Sequence, residues 1–261
     1  VLGIAAVRRG LGVPWLFVSY LAALLLTVSG LLIRAKKLNL PLKPKFEKKT
    51  ALLVWKECRF FALLVIMGTF YLRIPLITIG QTMGDYWAGI YGSISKFLEA
   101  GVLIPQAISL ALAPTFSRLL LTDKKKLGKI YLRAGALVIA LGLIPLVFFL
   151  FGGNFFINLV YGERYLPAAP SLKILGLVFP LLFFNYLAAN IIENSSRVKQ
   201  FLPWAVGHFI FVFLLAVILS QKFGILGGAA SLLLGEILRF FLNQKFVVSI
   251  LAKADPELNS G

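Results

Sequence analysis

Charged side chains inside long apolar runs are the first candidates for chemistry in this sequence. Arg73 lies within the apolar segment Phe60–Gly80, and no carboxylate lies within four residues of it. A charge inside the membrane costs about 2.5–3.5 kcal/mol on insertion scales and therefore needs a reason. A guanidinium can grip a phosphate or pyrophosphate through parallel hydrogen bonds, which predicts a cation lining a water-filled cavity. The alternative is that the Arg73 side chain extends to the outer head groups.

A polar stripe runs along the next apolar segment, Ala88–Phe116. At 100° per residue, Lys96, Glu99 and Gln106 fall on one narrow face of a helix. Lys96 and Glu99 are spaced i,i+3 and can form an ion pair. Two interpretations stay open, a buried structural pair or a polar stripe that faces a central lumen.

A second i,i+3 pair, Glu236 and Arg239, lies in the last apolar segment. We interpret it as a structural pair or as part of the lumen. His208 stands alone in an aromatic segment and is expected to be a hydrogen-bonded core residue, with a proton relay as the alternative. Four polar residues near the end of another apolar run are expected to cap a helix and face water: Asn185, Asn190, Glu193 and Asn194.

Catalytic patterns are missing from the sequence. No two carboxylates share a loop at a useful spacing, and no HExxH, GxSxG or P-loop motif occurs. One histidine and one cysteine cannot build a His/Cys metal site. We therefore predict a protein that is not an enzyme, with no catalytic residue, metal or cofactor.

The elements that position these side chains follow from composition. The chain has 261 residues, of which 59% are hydrophobic and 14% charged, and its mean hydropathy is +0.90. A soluble domain carries about 25% charged residues, so this sequence predicts an all-α polytopic membrane protein. Seven segments have about the 20 residues that a membrane-spanning helix needs: Gly12–Ile33, Phe60–Gly80, Ala88–Phe116, Ile130–Phe151, Leu172–Ile192, Phe201–Ser220 and Ile225–Ile250.

The basic residues alternate between the loops. The loop after the first span holds nine Lys or Arg, the next holds none and the third holds six. The positive-inside rule then places the basic loops in the cytoplasm and the protein in the cytoplasmic (inner) membrane; Arg8 and Arg9 depart from the pattern. This topology, with contact to anionic lipid head groups, explains the net charge of +17 without nucleic acid.

Three segments resemble a known family in order and spacing. They are Gly84-Asp-Tyr-Trp-Ala-Gly-Ile-Tyr-Gly with the residues up to Arg118, Tyr161-Gly-Glu-Arg-Tyr-Leu-Pro with the residues up to Leu175, and Phe223-Gly-Ile-Leu-Gly-Gly-Ala-Ala230. Together they resemble the oligosaccharide flippases that move O-antigen and capsule units, within the multidrug/oligosaccharidyl-lipid/polysaccharide exporter superfamily.

The resemblance implies a two-lobed, MATE-like transporter with about six helices in each lobe. Residues 1–33 would end the N-terminal lobe with a helix stump and one span. Residues 34–59 would form a basic cytoplasmic linker, 60–250 a six-helix C-terminal lobe and 251–261 a cytoplasmic tail. Arg73 matches the cation often found in the first helix of the C-terminal lobe, although Pro75 stands where the family often has Asp. Lys96 and Arg133 are weaker correspondences.

The function implied is transport of a polyprenyl-pyrophosphate-linked oligosaccharide by alternating access, for polysaccharide biosynthesis. Arg73, Lys96, Glu99 and Gln106 would line the lumen or bind the pyrophosphate. The expected partners are this substrate, membrane lipids and the missing N-terminal lobe, because the chain begins with Val1 inside an apolar run and is expected to be a fragment. A cation-coupled multidrug antiporter and a membrane glycan polymerase or ligase are the alternatives.

Overall fold

The computed structural model describes residues 13–38 and 47–252, and every regular element in these ranges is a helix. The prediction of an all-α polytopic membrane protein is confirmed. The helices are α1 (Val13–Lys37), α2 (Lys48–Tyr71), α3 (Ile74–Met83), α4 (Asp85–Gly101), α5 (Leu103–Thr122), α6 (Lys124–Tyr161), a 3-10 helix (Glu163–Ala168), α7 (Ala169–Glu193) and a last helical stretch, Val198–Ala252.

The last stretch is a hairpin of two helices. Its 55 residues would extend about 80 Å as one helix, far more than the roughly 30 Å hydrocarbon core. The break is at Gly224, where φ is 60° and ψ is −138°. The two halves, α8 (198–223) and α9 (225–252), fold back on each other, so that Nε2 of His208 lies 2.9 Å from the carbonyl oxygen of Gly235. A Cβ on Gly227 would overlap the carbonyl of Leu219, so the hairpin requires glycine there.

The predicted spans coincide with these helices, with one irregularity. Five helices of the described residues are long and apolar enough to cross a membrane, and a bent pair, Cys58–Tyr71 with Ile74–Met83, makes a sixth. The hairpin α8–α9 counts once in that number, so each of the seven predicted spans has a helical counterpart. The span predicted as Phe60–Gly80 is the bent one, with 49° between its two parts.

Three glycines with positive φ form the turns at one end of the bundle. They are Gly84 (φ 86°), Gly162 (φ 86°) and Gly224, and two spans separate each turn from the next. The guanidinium of Arg164 lies 5.3 Å from the ring centre of Tyr86, which joins the first two turns. Each turn lies at or near the start of one of the three segments that resemble the flippases, so these segments mark a shared turn geometry.

Helix α7 forms the centre of the bundle. It packs against α5, α6 and α9, and most of its side chains are buried. Leu, Ile and Phe occupy nearly all of its faces, as expected for a helix surrounded by protein. Polar residues on α7 therefore lie inside the bundle rather than in lipid.

The chain forms two compact units, Val1–Lys56 and Glu57–Gly261. Three predicted features lie outside the described residues: the stump with Arg8 and Arg9, the linker residues 39–46 and the tail residues 253–261. Helix α1 continues to Lys37 and α2 begins at Lys48, so both ends of the predicted linker 34–59 are helical. The predicted lobe and linker boundaries stay predictions.

Candidate functional site

Arg73, Lys96 and Glu99 form an exposed cluster, here called the surface triad. The carboxylate of Glu99 lies 2.8 Å from Nζ of Lys96 and 4.0 Å from Nε of Arg73. The predicted i,i+3 pair on α4 is therefore present, and its carboxylate is shared with a second cation from the preceding helix. The Arg73 and Lys96 side chains are 55% and 61% exposed, which rules out a buried structural pair within this unit.

The bend between α2 and α3 positions Arg73. Arg73 is the residue just before α3, and Pro75 stands in the first turn of that helix. In a continuous helix Pro75 would have no N–H to donate to the carbonyl of Tyr71, four residues earlier, and its ring would clash with that carbonyl, which explains why the span breaks between α2 and α3. Arg73 thus lies at a corner, where its side chain leaves the helix surface toward α4.

The structure adds a partner for Arg73 that the sequence did not indicate. No carboxylate lies within four residues of Arg73 in the sequence, but the fold brings Glu99 of α4 to 4.0 Å from it. Gln106 is exposed on α5, and among the described residues no hydrogen bond joins its side chain to the surface triad. Its predicted place on the lumen stays a prediction.

A second cluster lies inside the bundle and joins α7 to α9. We call it the buried cluster; its members are Asn185, Glu236, Arg239 and Asn243. The Glu236 side chain is fully buried, and Nη1 of Arg239 lies 3.6 Å from its Oε1. Nδ2 of Asn185 donates to Oε2 of Glu236 at 2.7 Å and to the Glu236 backbone carbonyl at 3.0 Å. The predicted Glu236–Arg239 pair is confirmed, and it belongs to a hydrogen-bonded network.

The expectation that Asn185 caps a helix and faces water is wrong. Asn185 is fully buried, because α7 is surrounded by protein at this level. Asn194, in contrast, ends α7 and its Nδ2 donates to the Asn190 carbonyl at 2.7 Å. The capping interpretation is therefore confirmed for Asn194 at the end of α7 and wrong for Asn185, more than two turns earlier.

Aromatic side chains surround Arg239 and His208. The Arg239 guanidinium carbon lies 5.7 Å from the ring centre of Tyr71 and 5.9 Å from that of Tyr186. The Tyr71 and His208 rings are 5.4 Å apart. The hydrogen bond of His208 to the Gly235 carbonyl confirms the expected hydrogen-bonded core residue, because a carbonyl oxygen only accepts and Nε2 must therefore carry the proton.

A cleft of about 80 Å³ opens beside the buried cluster, between α2 and α8. We call it the α2/α8 cleft. Tyr71, Arg239 and Asn243 line its inner end. Within the described residues, the Tyr71 hydroxyl and Oδ1 of Asn243 have no hydrogen-bond partner. Several water molecules fit such a volume, so the inner end of the cleft suits polar occupants.

Sequence reasoning missed Tyr71 and Asn243 as members of this polar region. One signal was available for Asn243, which follows Glu236 by seven residues and therefore shares its helix face. For Tyr71 no sequence signal existed, because its contacts come from α8 and α9, more than a hundred residues away.

The comparisons with known proteins point in one direction. The chain is 25% identical over 175 residues to the capsular polysaccharide biosynthesis protein CapF of Staphylococcus aureus, a stretch that covers 65% of this chain and 43% of that relative. The chain thus matches less than half the length of this curated relative. No solved structure matches the chain. A family model described as "Polysaccharide biosynthesis protein" matches residues 1–170, more than half of the chain, and the chain therefore belongs to this family of polysaccharide biosynthesis proteins.

Proposed function

We propose that the protein is a flippase that moves a polyprenyl-pyrophosphate-linked oligosaccharide across the cytoplasmic membrane. The observation that carries this proposal is the surface triad, in which two exposed cations share one carboxylate. The three side chains of the surface triad together carry a net charge of +1 at the surface of the bundle. Membership of a polysaccharide biosynthesis family supports a glycan as the cargo.

The chemistry of the surface triad suits a pyrophosphate. The planar Arg73 guanidinium can donate two parallel hydrogen bonds to a phosphate, and Lys96 adds a mobile point charge. Because both cations are more than half exposed, they can leave Glu99 for an incoming anion with little change in packing. The Gln106 side-chain amide would line the same lumen, about two helical turns beyond Glu99.

The transport mechanism that we infer is alternating access between this lobe and an N-terminal lobe. The basic ends of the helices would face the cytoplasm and the glycine turns would face outward. Moving the pyrophosphate from one side to the other requires no covalent step, and we infer that the protein is not an enzyme.

A cation-coupled multidrug antiporter is the second candidate, and the fully buried Glu236 favours it. Such a transporter needs a buried acid that can gain and lose a cation. Here Glu236 already accepts a hydrogen bond from Asn185 and faces Arg239, so its carboxylate is engaged by groups of the same bundle. A drug-stimulated proton or sodium flux in proteoliposomes would support the antiporter instead.

Substitution of Arg73 tests the flippase. We expect Arg73→Ala to abolish glycan export in cells without changing membrane abundance, and Arg73→Lys to restore export only in part, because Lys lacks the bidentate fork. Arg118→Ala is the matched control, since Arg118 is also exposed but lies at the far end of α5. Normal glycan export by Arg73→Ala, or an equal loss of export in Arg118→Ala, would contradict the assignment of Arg73 to the substrate site.

The proposed orientation has its own test. Single cysteines at positions 85 and 125, introduced as Asp85→Cys and Lys125→Cys in a Cys58→Ser background, can be treated in intact cells with a membrane-impermeant thiol reagent. We expect labelling at 85 and not at 125, because the loop around Lys125 is basic and that around Asp85 is not. The reverse pattern would overturn the orientation.

A further inference from the structure

The α2/α8 cleft has a polar inner end, apolar walls and a basic rim. Leu64 and Met67 of α2 face Phe201 and Trp204 of α8 across it. One turn before Leu64, Phe60 lies under two cations, with the Arg59 guanidinium carbon 4.7 Å and Lys199 Nζ 5.7 Å from its ring centre. An apolar cleft with two cations at one end is complementary to a ligand that has an apolar chain and an anionic head group.

The two rim cations lie against the same aromatic ring, and both side chains are exposed. Among the side chains that the structure describes, no ion pair involves Arg59 or Lys199. Two like charges that converge on one ring repel each other, and an anion between them relieves this repulsion. An anionic ligand would therefore be attracted to the rim by both Arg59 and Lys199.

The described charged groups around the cleft include acids as well. Glu193 lines it, and Glu236 lies behind its inner end, paired with Arg239. A further cation, Lys245, has its Nζ 5.5 Å from the ring centre of Trp204. The cations outnumber the acids by four to two, and the surplus is on the rim side.

The depth of the cleft matches one leaflet. The cleft is lined on α2 from Leu64 to Tyr71, roughly 10 Å along a helix, and Phe60 at the rim adds one further turn, for roughly 16 Å in all. This is about half of the roughly 30 Å hydrocarbon core. Arg59 and Lys199 lie where the apolar spans begin, so a lipid with its phosphate on the rim would reach the bilayer midplane with its chain.

We propose that the α2/α8 cleft binds an anionic phospholipid, with its phosphate between Arg59 and Lys199 and one acyl chain between α2 and α8. The site is separate from the surface triad, since Arg59 and Arg73 are about 21 Å apart along the helix path. The lipid fills the space between α2 and the rest of the bundle, and the proposal does not depend on what the protein transports.

Quenching of Trp204 by lipids with brominated acyl chains tests the proposal. The protein carries Trp204 as its single tryptophan, after Trp15, Trp55 and Trp87 are changed to Phe, and is titrated in detergent micelles with brominated phosphatidylglycerol or phosphatidylcholine. We expect phosphatidylglycerol to quench at a lower mole fraction. Arg59→Gln and Lys199→Gln should each raise the half-quenching fraction of phosphatidylglycerol about fivefold and leave phosphatidylcholine unchanged.

Two controls separate this site from general effects. Lys125→Gln with Lys126→Gln removes two exposed charges elsewhere and should leave the quenching unchanged. Gly68→Leu should block the cleft to both lipids, whereas Gly207→Leu should not; neither position has an atom within 4 Å of an added Cβ, and only Gly68 lines the cleft.

Three results would overturn the proposal. Equal quenching by both lipids would show that the rim does not select charge. An equal effect of the Lys125 and Lys126 changes would assign the preference to bulk surface potential. Displacement of brominated phosphatidylglycerol by a lower mole fraction of undecaprenyl phosphate would assign the cleft to the lipid carrier of the substrate. The quenching experiment does not measure glycan export, so a negative result would contradict the lipid site and would leave the flippase proposal, tested with Arg73→Ala, unaffected.

Discussion

The surface triad and the buried cluster contain the same local pattern in two environments. Lys96 and Glu99 on α4, like Glu236 and Arg239 on α9, are an acid and a base three residues apart on one helix. The Glu99 side chain is 29% exposed and Glu236 is fully buried. Spacing creates both pairs, but burial decides whether a pair can be exchanged for a ligand.

The cost of separating each pair explains this difference. An exposed pair contributes about 0–1 kcal/mol, because water solvates the separated charges. Removing one partner of a fully buried pair costs about 3–5 kcal/mol, because the other charge is left unsolvated; the Arg239 side chain is 25% exposed, so the lower end of this range applies here. The exposed pairs of the surface triad can therefore be separated at little cost, whereas the buried cluster holds α7 and α9 in a fixed relation.

The largest predicted effect is on the buried cluster. Glu236→Ala should lower the free energy of unfolding by about 3 kcal/mol, since it leaves the Arg239 guanidinium and the Asn185 amide without their carboxylate. Thermal unfolding in detergent should show a midpoint roughly 10 °C lower. Glu99→Ala should change the unfolding free energy by about 1 kcal/mol or less.

A double variant distinguishes charge from packing. Glu236→Met with Arg239→Met removes both charges and retains similar side-chain volume, so it should recover most of the stability lost in Glu236→Ala. If Glu99→Ala destabilised the protein as much as Glu236→Ala, the contrast between the two clusters would be wrong.

A smaller effect is expected for the amide that joins the two helices. Asn185→Leu should cost about 1–3 kcal/mol, because Oε2 of the buried Glu236 loses its donor. Asn194→Ala is the control on the same helix, and it should cost less because Asn194 is exposed and water can replace its hydrogen bond. The two variants can be compared by the same thermal unfolding. Equal losses of stability in the two variants would mean that burial does not determine how much each asparagine contributes to stability.

The helices could be predicted from the sequence because hydropathy is a local property. Each predicted span coincides with one helix or with two consecutive helices, and the glycine at position 224 falls in the short gap predicted between the last two spans. The bend at Arg73 could not be placed in the same way. Proline is common within these spans. Pro114, Pro145, Pro180 and Pro203 lie inside helices, whereas Pro75 directly follows a bend of 49°.

Within the candidate site, only the contacts between residues of the same helix could be predicted from the sequence. Both i,i+3 pairs were evident from spacing. The contact of Arg73 with Glu99 and that of Asn185 with Glu236 were not, because they join residues 26 and 51 positions apart through helix packing. Asn185 looked like a capping residue because sequence alone does not reveal which helix is surrounded by protein.

The smallest predicted effect concerns the carboxylate that the two exposed cations share. Glu99→Gln leaves Arg73 and Lys96 without this acid and raises the formal charge of the surface triad from one positive charge to two. Binding of farnesyl pyrophosphate, measured by calorimetry in detergent, should tighten about twofold to fivefold, the value of an exposed ion pair, and the gain should shrink at high salt. Glu163→Gln removes an equal charge from an exposed position beyond Gly162 and should have no effect on this binding. Weaker binding in Glu99→Gln would mean that Glu99 holds the two cations in position instead of competing with the ligand, and the surface triad would then resemble the buried cluster in acting as a fixed unit.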